Sequence, residues 1–476
     1  MAADFYTPRG LLVDGEWIAP GKVDTLRSPY DGAAIAEVPQ GDAALVDRAV
    51  AAAGRALRAD QFDRDARIRV LDAAVAQLRA RHEEFARTIA VECAKPIQTA
   101  RVETARTIDT FAFAAAEARS YTGDMVPLDA VASGKGKIAY TMRVPVGVVA
   151  AIAPFNFPLN LVAHKVAPAI AVGCPVVLKP ATQTPLSSLL LAEMLTGAGL
   201  PPGQLNVITG SGAEVGGALV DHPGVHYITF TGSPEVGWGI AARAPKKKVR
   251  LELGSNAPLI VDDDSDWEAA AAKAASAGFL QAGQSCVSTQ RIFVHSNVAA
   301  GFREALVAGV SRLKIGEPLG EDVDVSAVIS NKDARRIESW VDEAVAGGAR
   351  ADVGGERDGN VVMPTVLSSV TRTMRVQADE VFGPVVTVTE FEDFDAALDM
   401  ANDSRYGLNA GVYTSNIAKA LKATRRLEFG SVYINDVPTV RADLQPYGGV
   451  KDSGNTREGP RYAMTEMTEP RLVTLQ

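Results

Sequence analysis

Apolar and polar positions alternate along the chain with two different periods, and the change of period marks its organisation. Between residues 42 and 119, apolar positions fall three or four apart with charges between them, as in Ile68, Leu71, Val75 and Leu78. That spacing predicts amphipathic helices, one of them from Pro96 to Ala118, because proline suits a first helical turn. Residues 122–143 mix glycine, proline and alternating polar positions, which predicts an extended ribbon.

From residue 146 onward, short apolar runs alternate with helical segments. Strands are predicted at 146–152, 175–178, 205–208 and 225–230, with helices between them such as 159–172 and 186–195. After Gly254 the alternation restarts, with strands at 257–261 and 292–294 and helices at 266–281 and 298–313. Strands that alternate with helices imply right-handed crossovers and parallel sheets. The pattern therefore predicts an α/β fold with two Rossmann-like domains, and a ligand cleft at their junction.

Length and charge narrow the class of protein. A chain of 476 residues predicts two or three domains. The formal net charge of −9 argues against a nucleic-acid partner, because phosphate binding needs clustered Lys and Arg. The one dense basic run, Lys246 to Lys248 with Arg250, is interpreted as a solvated turn that enters a strand.

Cysteine usage and the apolar runs indicate the compartment. No apolar run reaches the length of a membrane span, and residues 1–10 lack the apolar core of a secretory signal. The three cysteines, Cys93, Cys174 and Cys286, are too few for a disulfide framework. We therefore expect a cytoplasmic protein with free thiols, no membrane partner and no metal ligands.

Three polar residues in unusual positions are candidates for chemistry. Cys286 follows a predicted helix in a small, glycine-containing turn, where a thiolate would face a cleft; the alternative is a buried structural cysteine. Glu252 lies between two leucines at the end of a strand, where a partly desolvated carboxylate suits a general base; the alternative is a salt-bridged edge residue. Asn156 stands between two aromatic residues and two prolines, which would hold its backbone rigid. Its side-chain N–H₂ group would then donate to an oxyanion; the alternative is that it caps the following helix.

Further segments are candidates for binding a dinucleotide. Lys179 closes a strand, where its ammonium group would reach a ribose hydroxyl or a phosphate. Residues 230–233 run from a strand into a helix, so that their backbone N–H groups would receive a pyrophosphate. The glycines at 210, 212 and 216 miss the spacing of a dinucleotide fingerprint and are interpreted as a turn.

Taken together, these motifs resemble the aldehyde dehydrogenase superfamily, in family order and over nearly the whole chain. They are PFNFP at 154–158, KP at 179–180, FTGS at 230–233, LELG at 251–254, GQSC at 283–286, EVFGPV at 380–385 and YGGVKDSG at 447–454. The stretch from 154 to 165 looks most like lactaldehyde and non-phosphorylating glyceraldehyde-3-phosphate dehydrogenases. The resemblance implies an aldehyde dehydrogenase-like fold and an NAD(P)-dependent enzyme.

The resemblance also implies a role for each matching residue. Cys286 matches the nucleophile, Glu252 the general base, and Asn156 the side chain that holds the oxyanion. The cofactor would contact Lys179 at the adenosine ribose, Gly232 and Ser233 at the pyrophosphate, Glu380 at the nicotinamide ribose, Phe382 beside the nicotinamide, and also Phe155 and Gly254. Thiolate attack gives a thiohemiacetal, hydride leaves to NAD(P), and water activated by Glu252 hydrolyses the thioester.

One position departs from the family pattern. Family members often carry Glu three residues after the motif lysine, and Thr182 stands there in this chain. A carboxylate would repel a 2′-phosphate, whereas a hydroxyl does not. We therefore predict that NADP is accepted along with NAD.

Indications of the substrate come from the predicted aldehyde tunnel. By resemblance, Leu161 and His164 line the tunnel, and Arg106 and Arg441 would face its mouth. Such a lining favours a short polar or anionic aldehyde, of the lactaldehyde, glyceraldehyde, glyceraldehyde-3-phosphate, semialdehyde or phosphonoacetaldehyde type. Alternatively, the two arginines form only surface ion pairs. Ser285, which stands where some phosphate-substrate members carry Arg, weakens the case for a phosphate.

The resemblance divides the chain into three parts and leaves two alternative functions open. Residues 1–121 and 143–253 would bind the cofactor, residues 254–455 would form the catalytic domain, and residues 122–142 and 456–476 would form an oligomerisation element. The ribbon would pair with the C-terminal strand of a neighbouring subunit in a dimer or tetramer. A CoA-acylating dehydrogenase and a non-enzymatic binding or structural protein on the same fold are the alternatives. The intact Glu252 argues against the first, and the presence of both Cys286 and Glu252 argues against the second.

Overall fold

The computed structural model describes residues 6–19, 21–59 and 61–476, which form two seven-stranded sheets flanked by helices. The strands are β1 (Leu11–Val13), β2 (Glu16–Ile18), β3 (Val23–Arg27), β4 (Ala34–Pro39), β5 (Met125–Val126), β6 (Ile138–Pro145), β7 (Val149–Ile152), β8 (Val176–Lys179), β9 (Leu205–Val207), β10 (Tyr227–Thr231), β11 (Lys248–Glu252), β12 (Pro258–Val261), β13 (Arg291–His295), β14 (Arg350–Val353), β15 (Arg357–Asp358), β16 (Val361–Val362), β17 (Thr365–Ser368), β18 (Val385–Phe391), β19 (Asn409–Tyr413), β20 (Ser431–Ile434) and β21 (Thr468–Leu475).

The helices account for most of the remaining chain. They are α1 (Ala43–Ala59), α2 (Arg64–Ala80), α3 (His82–Cys93), α4 (Ile97–Ser120), α5 (Asn160–Val172), α6 (Leu186–Gly197), α7 (Gly217–Asp221), α8 (Pro234–Arg243), α9 (Trp267–Ala277), α10 (Ser296–Val310), α11 (Asn331–Ala346), α12 (Arg375–Ala378), α13 (Phe394–Asn402), α14 (Ile417–Arg426) and α15 (Pro460–Glu466). Among the described residues, no helix is both long enough and apolar enough to cross a bilayer.

The two large sheets have the predicted parallel cores. The first has the strand order β11-β10-β7-β8-β9-β1-β2, and its first five strands run parallel. The second has the order β14-β17-β18-β13-β12-β19-β20, in which only β14 is antiparallel to its neighbour. The α/β fold with two Rossmann-like halves is therefore confirmed. The hairpin of β1 and β2 was not predicted, because its strands of three residues are too short to show a period.

Alternation within the strands explains how each sheet is covered on both faces. In β7, Val149 and Ala151 pack with α2 to α6, whereas Ala150 and Ile152 pack with α1 and α7. Since both faces are buried, the inner strands are mostly apolar, as in β7 and β12. Helix α5 is buried along its whole length, which brings its polar residues into the interior.

The ribbon forms a third sheet, in the order β21-β6-β5. Strand β21 pairs antiparallel with β6 over eight residues, from Thr468 opposite Pro145 to Leu475 opposite Ile138. The prediction that the C-terminal strand pairs with a neighbouring subunit is therefore wrong, because the partner of β21 is the ribbon of its own chain. The extended segment also begins later than the predicted residue 464, since α15 runs to Glu466.

The basic run enters β11 as predicted, but most of it is not solvated. The Lys247 ammonium donates to the carbonyls of Val220 and His222 at 2.6 and 2.7 Å. Lys248 and Arg250 form ion pairs with Glu469 and Glu466. The two ion pairs connect the C-terminal segment to the first sheet. A local charge pattern in the sequence does not reveal such long-range partners.

Candidate active site

A cleft of about 1250 Å³ opens between the two large sheets. Its walls include most of the residues that the sequence singles out: Phe155, Asn156, Leu161, Lys179, Thr182, Gly232, Ser233, Glu252, Gly254, Cys286, Glu380 and Phe382. The residues of the first sheet meet because the ends of its parallel strands and the loops after them share one edge. Cys286, Glu380 and Phe382 come from the segments that precede β13 and β18 of the second sheet. Arg106, His164 and Arg441 do not line this cleft.

Cys286 follows a tight turn that only particular residues can adopt. Gln281, Ala282 and Gly283 all have positive φ, and a side chain at Gly283 would lie 2.0 Å from the Gly383 carbonyl oxygen. The turn leaves the Cys286 thiol partly buried, with Sγ 2.9 Å from the Tyr447 hydroxyl. Burial raises the pKa of this thiol to about 12. Cys93 and Cys174 are buried, as expected for structural cysteines.

Glu252 ends β11 as a buried carboxylate that lacks a hydrogen bond. Its side chain is 3% exposed, and neither carboxylate oxygen has a hydrogen-bond partner. Burial, followed by the nearby charge of Glu458, raises its pKa well above the usual value. Glu252 forms no salt bridge within the described part of the chain. An unpaired carboxyl group with a raised pKa can take a proton from water near neutral pH.

The Asn156 side chain lies against the segment that precedes the thiol. Its amide nitrogen donates to the Gln284 carbonyl at 3.0 Å, and its Oδ1 accepts from the Phe157 N–H at 3.1 Å. An amide group has two N–H donors, so a second one remains beside the nucleophile loop. The Asn156 carbonyl in turn accepts from Lys95 and Gln281, at 2.8 and 2.5 Å. Hydrogen bonds therefore fix both the side-chain amide and the backbone carbonyl of Asn156.

The first wall of the cleft offers groups that suit a pyrophosphate. Ser233 is the N-cap of α8 and accepts from the Val236 N–H at 3.4 Å. A side chain at Gly232 would lie 2.6 Å from the ring of Phe230, so the close approach requires glycine. Lys179 is buried at the end of β8, and burial lowers its pKa to about 8. A helix N-terminus with a nearby ammonium group fits a dinucleotide phosphate.

The opposite wall suits a ribose and a planar ring. Glu380 accepts from the Ser255 N–H at 2.9 Å, and burial raises its pKa to about 8. A side chain at Gly254 would lie 2.1 Å from Glu380 Oε2, so only glycine leaves room for this carboxylate. Phe382 has a positive φ of 47° and meets the Phe155 ring edge-on, with centroids 5.7 Å apart. Both walls therefore fit NAD(P).

Thr182 is exposed at the far end of the cleft and donates to the Gly210 carbonyl at 3.1 Å.

The glycine cluster at 210–216, which the sequence analysis interprets as a simple turn, also forms part of the cleft wall. Residues Gly212–Gly216 form a π-helical turn that leads into α7, and Gly212, Gly216 and Gly217 line the cleft. The spacing differs from the usual fingerprint because a π turn, and not a tight α turn, opens the helix.

The predicted tunnel residues gather around Asp443. Arg106 donates to both carboxylate oxygens, at 2.9 and 3.0 Å, and His164 Nε2 lies 2.9 Å from Oδ1. Although burial acts to raise it, His164 and Arg106 hold the pKa of Asp443 well below its usual range. Burial lowers the pKa of His164. Arg441 pairs with Glu458 at 3.0 Å. Both arginines thus form ion pairs, but with buried partners and not at the surface.

Several buried charges in and around the site were not predicted. Lys165 donates to Thr229, Thr231 and Glu458, at 3.1, 2.7 and 3.2 Å. Lys95 forms an ion pair with Glu103, and both side chains are fully buried. Lys165 in the otherwise mostly apolar α5 was a usable signal, because a lysine is almost never fully buried without a partner.

The cleft thus combines the Cys286 thiol, the buried Glu252 carboxyl group without a hydrogen-bond partner, and the fixed Asn156 amide with walls that fit a dinucleotide. This combination is typical of an oxidoreductase that works through a covalent sulfur intermediate. A model of the aldehyde dehydrogenase family matches residues 17–473. The chain belongs to the aldehyde dehydrogenase family, as an NAD(P)-dependent enzyme. The resemblance drawn from the motifs is thereby confirmed.

Individual relatives are similar over nearly the full length of the chain. The 3-sulfolactaldehyde dehydrogenase of Priestia megaterium is 44% identical over 466 residues, 98% of each chain. Aldehyde dehydrogenase 21 from Physcomitrella patens, solved with its product succinate, is 41% identical with a TM-score of 0.95, covering 100% of this chain and 99% of the other. The NADP-dependent glyceraldehyde-3-phosphate dehydrogenase of Bacillus halodurans, solved with NADP, is 36% identical with a TM-score of 0.96, covering 98% and 99%.

Proposed function

We propose that this aldehyde dehydrogenase converts a short polar or anionic aldehyde to its carboxylic acid, with Cys286, Glu252 and Asn156 as the catalytic residues. The observation that carries the proposal is the buried Glu252 carboxylate without a hydrogen-bond partner, in the same cleft as the Cys286 thiol. Burial of an unsatisfied carboxyl group is costly. That cost is explained if the group awaits a water molecule at a thioester.

In the first half of the reaction, the Cys286 thiol loses its proton to solvent, and the thiolate sulfur forms a bond to the aldehyde carbon while the carbonyl π electrons move to oxygen. The resulting oxyanion accepts hydrogen bonds from the Asn156 amide and the Cys286 backbone N–H. When held between the two walls of the cleft, NAD(P) would supply the acceptor for the hydride of this carbon, and the loss of that hydride leaves a thioester on Cys286.

In the second half, Glu252 takes a proton from a water molecule, whose oxygen adds to the thioester carbon. The C–S bond breaks, its electron pair stays on the Cys286 sulfur, and the acid is released. A base with a raised pKa is well matched to this step near neutral pH. The same water step distinguishes hydrolysis from acyl transfer to CoA.

The cofactor would lie along both walls of the cleft. Lys179 and Thr182 would meet the adenosine ribose, Gly232 and Ser233 the pyrophosphate, and Glu380 the nicotinamide ribose, with Phe155, Phe382 and Gly254 around the nicotinamide. Because Thr182 carries no charge, a 2′-phosphate meets no carboxylate at this position. We therefore propose that NADP is used as well as NAD.

Two kinds of support favour an anionic substrate: the arginines Arg106 and Arg441 that lie behind the cleft, and the substrates named for the similar enzymes. Of the five N–H groups of the Arg106 guanidinium, two donate to Asp443, which leaves donors for an anion. Arg441 is buried, and its Nε has no hydrogen-bond partner, although it lies 4.0 Å from a carboxylate oxygen of Asp443. Leu161 is part of the cleft wall. The relatives named above act on sulfolactaldehyde or glyceraldehyde 3-phosphate, or release succinate, and all of these carry an anionic group.

A panel of aldehydes with matched variants tests the substrate class. Glyceraldehyde, sulfolactaldehyde and succinic semialdehyde are compared with neutral propionaldehyde, with each cofactor, by NAD(P)H formation. We expect Arg106→Gln to raise KM at least about tenfold for anionic aldehydes only, a loss typical of one charge-assisted hydrogen bond. Arg441→Ala should raise the same KM and also lower kcat for every aldehyde, because it leaves the buried Glu458 without its cation. An unchanged KM for all anionic aldehydes would remove these arginines from the proposal. A product that forms only with CoA would favour the acylating alternative.

The assembly and the division of the chain are proposed on the same basis. Large apolar side chains are exposed along the ribbon, including Met125, Val131, Ile138, Met142, Leu472 and Leu475. One edge of β21 is unpaired within the described chain, so we propose a homodimer or homotetramer that covers this sheet. The first large sheet would bind the cofactor and the second would carry the nucleophile. The free thiols of Cys93, Cys174 and Cys286 support a cytoplasmic location.

A further inference from the structure

Tyr447 holds the sulfur of the proposed nucleophile. Its hydroxyl lies 2.9 Å from Cys286 Sγ, and its side chain is 2% exposed. Within the described part of the chain, this hydroxyl is the sole hydrogen-bond partner of the sulfur. The contact joins residues that are 161 positions apart. It is a specific feature of the fold and not a consequence of local sequence.

The chemistry of the two groups fixes the direction of this hydrogen bond once the thiol ionises. A thiol is a weak donor and a phenol is a good one, while a thiolate has no proton to donate. The Tyr447 hydroxyl therefore donates to the Cys286 thiolate. Hydrogen bonds to an ionised group are about twice as strong as neutral ones, so this bond favours the thiolate over the thiol.

The Arg441 guanidinium packs over the face of the Tyr447 ring. The guanidinium carbon lies 3.7 Å from the ring centroid, and Glu458 fixes the guanidinium from the other side at 3.0 Å. A cation over an aromatic face is attracted by the ring and draws electron density from it. A more electron-poor phenol is a stronger hydrogen-bond donor, so Arg441 both positions the ring and strengthens the bond to sulfur.

We propose that Tyr447 is a further catalytic residue, whose hydroxyl donates to the Cys286 thiolate, stabilises the sulfur when it ionises and orients it for attack, with Arg441 as its positioning residue. The inference rests on the proposed role of Cys286 as the nucleophile. Tyr447 would act twice in each turnover. It holds the thiolate before attack, and it receives the sulfur again when the C–S bond of the thioester breaks and the electron pair returns to Cys286.

The test measures the thiol directly, without aldehyde or cofactor. The rate of Cys286 alkylation by iodoacetamide is followed against pH by mass spectrometry of the Cys286 peptide. In Tyr447→Phe we expect the midpoint of the rate profile to rise by about one pH unit. The rate near neutral pH should fall about tenfold, the lower end of the loss of a hydrogen bond to a charged group. A rate profile that matches the unmodified enzyme would overturn the proposal.

Two further variants show whether a change in the alkylation profile is specific to the Tyr447 hydroxyl. In Tyr433→Phe a neighbouring hydroxyl is removed, which accepts from Gln445 at 2.7 Å and does not touch the sulfur, so the alkylation profile should stay unchanged. Fluorotyrosine incorporated at position 447 keeps the shape of the ring and makes the phenol more acidic, so the midpoint should fall. If the midpoint does not fall, the hydroxyl is not the donor, even where Tyr447→Phe folds poorly.

The alkylation assay also separates this inference from the proposed function. If Cys286→Ser keeps full aldehyde turnover, the proposed function fails, whatever the alkylation profile of Tyr447→Phe. If Cys286 is required for turnover but the profile of Tyr447→Phe is unchanged, only the role of Tyr447 fails.

Discussion

The Lys95 ammonium donates a hydrogen bond of 2.8 Å to the backbone carbonyl of Asn156, so a fully buried charge fixes the loop of the proposed oxyanion donor. Its ion-pair partner, Glu103, accepts from the N–H groups of Leu159 and Asn160 at the start of α5, at 3.0 and 3.1 Å. One ion pair thus holds the loop at both of its ends. Its removal should affect stability and catalysis together.

We predict that Lys95→Met destabilises the protein by about 3–5 kcal/mol, because it leaves the Glu103 carboxylate buried without its cation. Urea unfolding measures this loss, and kcat for the folded fraction should fall because Asn156 loses its support. Arg69→Ala is the matched control, since it breaks an exposed ion pair with Asp65 on α2. An equal loss of stability in both variants would contradict the structural role of Lys95.

Replacement of the proposed base should separate the two halves of the reaction. Glu252→Gln keeps the shape of the side chain but cannot take a proton from water. We expect a burst of about one NAD(P)H per active site, followed by a steady-state rate about 10²–10⁴-fold below that of the unmodified enzyme. Rapid mixing resolves the two phases. The absence of a burst would mean that Glu252 acts before hydride transfer.

Cofactor affinity should depend on pH through Glu380. Burial raises the pKa of this carboxyl group to about 8, and the ionised form accepts hydrogen bonds from ribose hydroxyls better than the neutral acid. Lys179 loses its charge over the same pH range, because burial lowers its pKa to about 8, so the Glu380 effect is read by comparing two proteins. We therefore expect the ratio of the Kd of NAD(P) in Glu380→Gln to that in the unmodified enzyme, measured by fluorescence titration, to grow as the pH rises through about 8. For Glu268→Gln, at an exposed position on α9, the same ratio should not change with pH.

The choice between the two cofactors should change with one charge. Thr182→Glu places a carboxylate at the exposed end of the cleft, where it would repel the 2′-phosphate of NADP. We expect kcat/KM for NADP to fall about 10–100-fold relative to NAD, equal to about 1.4–2.7 kcal/mol. The neutral variant Thr182→Gln is the control. If both variants change the cofactor preference equally, the effect is steric and not electrostatic.

The sequence predicts the elements of this protein well, because parallel strands that are buried on both faces appear as short, mostly apolar runs. Part of the cleft could also be predicted, since Asn156, Lys179 and Glu252 stand at the end of a strand or in the loop after it. Cys286 and Glu380 instead follow the helices α9 and α12. The position of the strand ends at one edge of the first sheet then brings the first three residues together.

The remaining features depend on contacts between residues that lie far apart in the chain. Tyr447 meets Cys286, Asp443 binds Arg106 and His164, and β21 returns to β6, although the chain reaches each contact by a long path. Spacing within one sequence carries no information about such pairs. The charge of Arg441 was visible, but its partner Glu458 was not, so an arginine assigned to the tunnel mouth proved to be buried.

The most direct test of the account is to trap the acyl-enzyme. Glu252→Gln enzyme is mixed with excess glyceraldehyde and NADP, quenched in acid, digested and analysed by peptide mass spectrometry. The account predicts an acyl group from the substrate on the peptide that contains Cys286, and none when NADP is left out, because the thioester forms only after hydride transfer. NADPH formation without acylation of Cys286, or unchanged turnover by Cys286→Ser, would contradict it.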